Sequence, residues 1–109
     1  MSDCLFCKII NKEIGSSIVF EDERIMAIHD IKPLTPVHIL IIPKKHLASL
    51  EEMDESDIEL LGYIQYRARE IARQVGLDGN YRVMTNCGPK AGQTIFHLHY
   101  HLLGGIEMD

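Results

Sequence analysis

The chain has 109 residues, 46% of them hydrophobic, with 16 Asp and Glu against 11 Lys and Arg and a net charge of −5. That length makes a single domain, residues 1–109, with a modest core that a partner subunit would supplement. The acidic balance argues against non-specific binding to nucleic acid or an anionic membrane, and the apolar run Ile39-Leu-Ile-Ile42 is far too short to span a bilayer.

The opening Ser2-Asp3-Cys4 leads into a short mixed segment and not a long apolar core. The expectation is a chain without a signal peptide, its three cysteines reduced, in the cytoplasm. From Cys4 to Glu13, Leu5 and Ile9, with Phe6 and Ile10 beside them, recur at helical spacing and predict a short helix. Gly15-Ser-Ser17 breaks it. Ile18-Val-Phe20 and Ile25-Met-Ala-Ile28 flank the acidic turn Glu21-Asp-Glu23 and predict a hairpin. Pro33 and Pro36 each lack an amide donor, so residues 30–36 run neither as a long helix nor as a central strand. His38 to Ile42 is more continuously apolar and predicts an inner strand that Pro43 ends.

Residues 55–75 carry the plainest helix signal. Ser56-Asp-Ile-Glu59 has capping-box spacing, and Ile58, Leu61, Ile64, Ala68, Ile71 and Val75 form one apolar stripe suited to core packing. Gly76 is the predicted stop. Asp78-Gly79 predicts a turn, Tyr81 to Thr85 a strand, 88–92 a flexible loop, and Ile95 to Leu103 the last strand, released at Gly104-Gly105. This order contains too few βα alternations for a doubly wound parallel sheet. It predicts an α+β domain: an antiparallel sheet with one long and one short helix, the long one covering a face.

Half of the six histidines lie in the last strand, as His97, His99 and His101. Period two sends all three rings to one face and Leu98, Tyr100 and Leu102 to the other. Adjacent imidazoles oppose one another's protonation. A neutral imidazole near pH 7 is both a nucleophile and a metal ligand. Just upstream, Gly88, Gly92, Gln93 and Thr94 could offer backbone amides and small polar groups to an anion, although the spacing is not that of a P-loop. His29 has no histidine neighbour on its strand and reads as a hydrogen-bonded structural ring. Cys4-Leu-Phe-Cys7 has the C-x₂-C bite of a tetrahedral metal site, with redox use or simple packing as the alternatives. His46, just after a strand, is a further ligand candidate.

The run Gly92-Gln-Thr-Ile-Phe-His97-Leu-His99-Tyr-His101 resembles the histidine triad family, in which three histidines alternate with apolar residues. Phe6-Cys-Lys-Ile-Ile10, Phe20-Glu-Asp22, His29-Asp-Ile31, Pro36-Val-His38, Ile42-Pro-Lys-Lys-His46 and Asn86-Cys-Gly88 follow in family order, so the likeness covers nearly the whole chain. Within the family it is similar to the Hint branch of nucleoside phosphoramidases. The resemblance implies a HIT-like fold and a nucleotide hydrolase. His99 would attack the α-phosphorus of a purine nucleoside 5′-phosphoramidate or related adenylate. His101 would hydrogen-bond the phosphate, with His38 and His97 in the surrounding network. Gln93 would hold a phosphoryl oxygen, and Thr94 stands where Hint proteins carry a serine near the leaving group. Phe6, Phe20, Asp30, Ile31 and Asn86 match nucleoside-pocket positions, with Asp30 on the ribose. Phe6 and Phe20 serve equally well as core.

The resemblance also implies structural zinc on Cys4, Cys7, His46 and His97, no organic cofactor, and a homodimer with helix 55–75 and neighbouring strand edges at the interface. The chain ends soon after Gly104-Gly105, without the longer tail of many Hint relatives, so their substrate preferences are not expected to carry over. Competing readings are a dinucleoside polyphosphate hydrolase, a nucleotide-binding regulatory protein, and a zinc-stabilised interaction module.

Overall fold

The computed structural model describes residues 3–108. A short helix α1 (Leu5–Ile10) is followed by strands β1 (Ile18–Glu21), β2 (Ile25–His29) and β3 (Val37–Pro43). Two 3₁₀ turns then lead into helix α2 (Ile58–Gln74), strand β4 (Tyr81–Met84) and strand β5 (Tyr100–Gly104). The strands form one five-stranded sheet in the order β1-β2-β3-β5-β4, and every neighbouring pair is antiparallel. No described helix is long and apolar enough to cross a membrane.

The alternation of strand residues divides the core in two. Ile25, Ala27, Ile39, Ile41, Leu98, Tyr100 and Leu102 pack with Leu60, Leu61, Ile64, Ala68, Ile71 and Ala72 of α2. Met26, Ile28, Leu40 and Ile42 point the other way and pack with Phe6 and Ile9 of α1. The middle strand β3 is therefore apolar on both faces, as its composition predicts.

Four of the boundaries that differ from the sequence reading have a plain hydrogen-bonding or packing reason. α1 is six residues long and stops at Asn11, whose N–H turns back to Cys7 and Ile9. The capping box belongs to Asp54 and Asp57, not to Ser56 and Glu59. Asp54 accepts from Ser56 N–H at 2.8 Å, and the buried Asp57 accepts from Asp54 N–H at 3.0 Å. That places a 3₁₀ turn ahead of α2, rotates Ile58 outward to 62% exposure, and gives its place in the stripe to Leu60. β5 begins at Tyr100 and not at Ile95, because the preceding amides and carbonyls bond outside the ladder: Leu98 N–H to Leu47 at 2.7 Å, and Thr85 Oγ1 to the His99 carbonyl at 2.7 Å. Gly104 is the last residue of β5, not its release. A Cβ there would lie 2.7 Å from Leu77 Cδ2 and 3.3 Å from the Asn80 carbonyl oxygen, so a side chain at 104 would displace the Leu77 side chain.

α2 ends as predicted. Gly76 N–H bonds to Arg73 and Leu77 N–H to Ala72, which is the paired closure of a Schellman motif.

Candidate active site and metal centre

The alternation along 97–101 puts the three imidazoles on the α1 side of the sheet, while Leu98, Tyr100 and Leu102 enter the α2 core. Phe6 of α1 lies edge-on to both His97 and His99, with ring centroids 6.0 and 5.0 Å away. The His99 and His101 rings are 5.1 Å apart, and His101 meets His38 of β3. β3 and β5 are adjacent, and Leu40 pairs with His101 while His38 pairs with Leu103, so His38 sits one position along the same face.

Hydrogen bonds to the main chain orient the rings. His99 Nδ1 is 2.7 Å from the His97 carbonyl, so Nδ1–H donates and Nε2 keeps its lone pair. His97 Nε2 is 2.7 Å from the Pro43 carbonyl, so Nε2–H donates and Nδ1 is the free ligand atom. His38 accepts from Leu34 N–H at 3.0 Å through Nδ1, and its Nε2 lies 2.9 Å from His101 Nδ1. Asp30 approaches that Nε2 to 3.5 Å through Oδ2, while its Oδ1 accepts from Lys32 N–H at 2.8 Å.

Burial pushes all four rings toward the neutral form. Desolvation lowers the His99 pKa against the opposing bond to the His97 carbonyl and the field of Asp30. It lowers His97 and His38 as well. His101 falls to about 4, through desolvation and then the neighbouring charges possible on His99 and His38.

The second constellation is built around His97. His97 Nδ1 is 3.3 Å from Cys4 Sγ, 3.6 Å from Cys7 Sγ and 3.0 Å from His46 Nδ1; Cys7 Sγ is 3.4 Å from His46 Nδ1. All four donor atoms lie within 4.8 Å of one another. A tetrahedron built with zinc–sulfur and zinc–nitrogen bond lengths has edges of roughly 3.3–3.8 Å. Two thiols and two imidazoles at this spacing fit a closed four-coordinate metal site. The carbonyl behind His97 supplies the outer partner that metal-bound histidines usually have.

The remaining sequence candidates divide. Asn86 is half-buried, and Thr94 is exposed in a cleft of about 460 Å³ shared with Cys4, His46 and Phe96. Ile31 is 93% exposed on the loop between β2 and β3 and encloses nothing within this chain. Phe20 is not brought to the triad. It pairs with Ala27, packs on the α2-side core, and lies 5.2 Å beneath the Arg67 guanidinium. His29 pairs with Ile39 and so also sits on the α2 face, exposed. Gln93 does not offer its amide to an anion: Nε2 donates to the Ala48 and Ile95 carbonyls, and Oε1 accepts from Gly88 N–H. The amides of Ala91, Gly92 and Gln93 are likewise turned inward onto Gly88 and Pro89 carbonyls, so they form no anion nest. Sequence reading missed Ile28, a buried residue on the triad side, and the carbonyls of Pro43 and His97. The strict alternation of β2 could have revealed Ile28; nothing in a residue's identity advertises a carbonyl.

A family model described as scavenger mRNA decapping enzyme C-term binding matches residues 3–108. The chain is 49% identical over 110 residues to a 14 kDa zinc-binding protein of Zea mays, covering 99% of this chain and 86% of that protein. It is 44% identical over 110 residues to adenylylsulfatase HINT1 of Arabidopsis thaliana, covering 99% of this chain and 75% of that one. Its fold is similar to that of a HIT family hydrolase from Clostridium thermocellum, with a TM-score of 0.96 and 52% identity over 100% of this chain and 96% of the other.

Proposed function

The chain belongs to the histidine triad (HIT) family, in its Hint-like branch, and from that premise we propose that it hydrolyses purine nucleoside 5′-phosphoramidates or related adenylates. One observation carries this reading. The His99 ring is buried, inclined to be neutral, and has its proton tied to the His97 carbonyl, which leaves Nε2 as a lone pair.

In the first step Nε2 of His99 attacks the α-phosphorus, and the bond from phosphorus to the leaving nitrogen or oxygen breaks. A leaving amine takes up a proton as it departs. The product is a nucleotidyl-histidine, whose cationic ring is a good leaving group. Water then attacks phosphorus, a proton is lost, and the nucleoside monophosphate leaves with His99 neutral again. Two lower barriers replace one high one. His101 donates to a phosphoryl oxygen, with His38 behind it at 2.9 Å, and so stabilises charge that grows in the transition state. Thr94, which stands where Hint proteins carry a serine, is the aliphatic hydroxyl nearest in sequence to His99 and would serve the leaving group. Asp30 accepts from ribose hydroxyls, and Phe6, Ile31 and Asn86 border the nucleoside.

Zinc is the metal we assign to Cys4, Cys7, His46 and His97. When bound it supplies structural cross-linking and no catalytic position, because four protein ligands close its shell. The name of the maize relative supports the assignment. Reduced thiols suit a cytoplasmic setting.

Mass spectrometry of quenched turnover tests the mechanism directly. The expected species is the chain plus one nucleoside monophosphate, on His99. Saturating turnover that never yields this adduct, or yields it on another residue, removes the proposal. Initial rates on adenosine phosphoramidate, adenylyl sulfate and a diadenosine polyphosphate rank the substrate classes. The name of the Arabidopsis relative favours the adenylates. Nucleotide binding that survives His99→Ala, with turnover that does not fall strongly, would show that the nucleophile assignment is wrong.

A further inference from the structure

We propose that the main-chain N–H of Leu34 determines which nitrogen of His101 carries the proton, and thereby makes His101 a hydrogen-bond donor toward the phosphoryl group. The functional half of this inference rests on the hydrolase reading above. The proton assignment does not.

Leu34 N–H donates to His38 Nδ1 at 3.0 Å. A ring nitrogen that accepts carries no proton, so neutral His38 holds its proton on Nε2. That atom has two acceptors in reach: His101 Nδ1 at 2.9 Å and Asp30 Oδ2 at 3.5 Å. Donation to His101 Nδ1 leaves His101 with its own proton on Nε2, which is the nitrogen facing away from His38. The opposite order would set His38 Nδ1–H against Leu34 N–H, two donors head to head beside a ring only 4% exposed. The order of protons therefore runs in one direction, from the loop through His38 to His101.

The donor is held in place from both sides. Asp30 Oδ1 accepts from Lys32 N–H at 2.8 Å, and Asp30 N–H donates to the His38 carbonyl at 2.9 Å. Thr35 Oγ1 donates to the Val37 carbonyl at 2.6 Å, and Pro33 and Pro36 fix φ on either side. The Leu34 side chain is 70% exposed, so the residue contributes here through its amide. The same assignment explains why Asp30, His38 and His101 form a proton path, although their ligand atoms also cluster within 4.8 Å. A cation needs a lone pair from each ring, and the proton between the rings occupies one of them.

The test replaces the amide at position 34 by an ester, through incorporation of the α-hydroxy analogue of leucine in the full chain. This deletes N–H and keeps the side chain. Leu34→Pro deletes the same donor by ordinary mutagenesis, and Leu34→Ala keeps it. Ring ¹⁵N–¹H correlation spectra of the unaltered protein are expected to show protons on Nε2 of His38 and His101. Leu34→Ala is expected to retain that pattern. The ester and the proline variant are expected to shift part of both rings to the Nδ1–H form and to lower kcat for adenosine phosphoramidate about tenfold or more, with little change in KM. A proton on Nδ1 of His101 in the unaltered protein overturns the inference. So do ring spectra unchanged by the ester, or shifted rings with unchanged kcat. An unaltered protein with the stated ring protons and no phosphoramidate turnover overturns the hydrolase reading and leaves the proton assignment standing.

Discussion

A neutral imidazole attacks only through the nitrogen that carries no proton, and at position 99 a backbone carbonyl 2.7 Å away decides which one that is. His99→Ala removes the attacking atom and leaves the fold's apolar contacts largely in place. Turnover is expected to fall by at least about 10⁴-fold, as when a covalent nucleophile is lost, and the mass adduct should disappear. His101 gives a second expectation at this scale. Its folded pKa of about 4 lies below the ordinary histidine value of 6.5. Between those two values the unfolded chain binds more protons, so its contribution to stability is complete above pH 6.5 and is lost as the pH falls toward 4. Melting temperatures measured from pH 7.5 to pH 4 should decline through this window, and less steeply in His101→Gln. The rings themselves were legible, because strict alternation of histidine with apolar residues has few structural excuses. Their proton assignments were not, because these depend on the Pro43 and His97 carbonyls and the Leu34 amide, which any residue type could supply.

Elements were legible where one face is buried. The stripe from Leu61 to Ile71 found α2, and the apolar run from Ile39 to Ile42 found the middle strand. Boundaries were lost where a local hydrogen bond competes with the regular ladder. Asp57 turns the start of α2 into 3₁₀ structure, and the Leu98-to-Leu47 bond delays β5 until Tyr100. Phe20 takes the core alternative left open for it, because aromatic character does not say which sheet face a residue takes, whereas its pairing with Ala27 does. Two predictions belong to this scale. Gly104→Ala forces a methyl to within 2.7 Å of Leu77 at the join of β5 and the turn after α2. Overpacking there should cost about 1–3 kcal/mol in urea unfolding, with an unchanged m-value. The four-donor cluster ties α1 to the loop after β3 and to the approach to β5. Stripping the zinc-loaded protein with a chelator should lower its melting temperature and speed amide exchange first in α1. Cys7→Ser should do the same without added chelator. Exchange rates in α1 indifferent to chelation would show that the cluster does not hold a metal.

At the scale of the molecule, the sheet leaves two edges, β1 and β4. β1 is interrupted by a register shift between Ile18 and Phe20, which blunts it against pairing. β4 has no such irregularity in its pairing with β5, so its outer edge is the better template for another strand. Beside it runs α2, whose outer side exposes Ile58 at 62% and Tyr66 at 54%. A chain of 109 residues has limited core to spare, and covering this side would add apolar burial where the single domain has least. The homodimer implied by the family resemblance should therefore use α2 and the β4 edge, through a two-fold axis that presents the same patch from each copy. Light scattering coupled to size exclusion should return twice the chain mass, and the melting temperature should rise with protein concentration. Tyr66→Lys puts a charge at the centre of that face and should shift the population toward monomer. Cys4, Cys7, His46 and His97 all meet within one chain, so the monomer should still bind one zinc. A wild-type protein that stays monomeric at high concentration, or a Tyr66→Lys dimer as tight as wild type, would place the missing burial elsewhere.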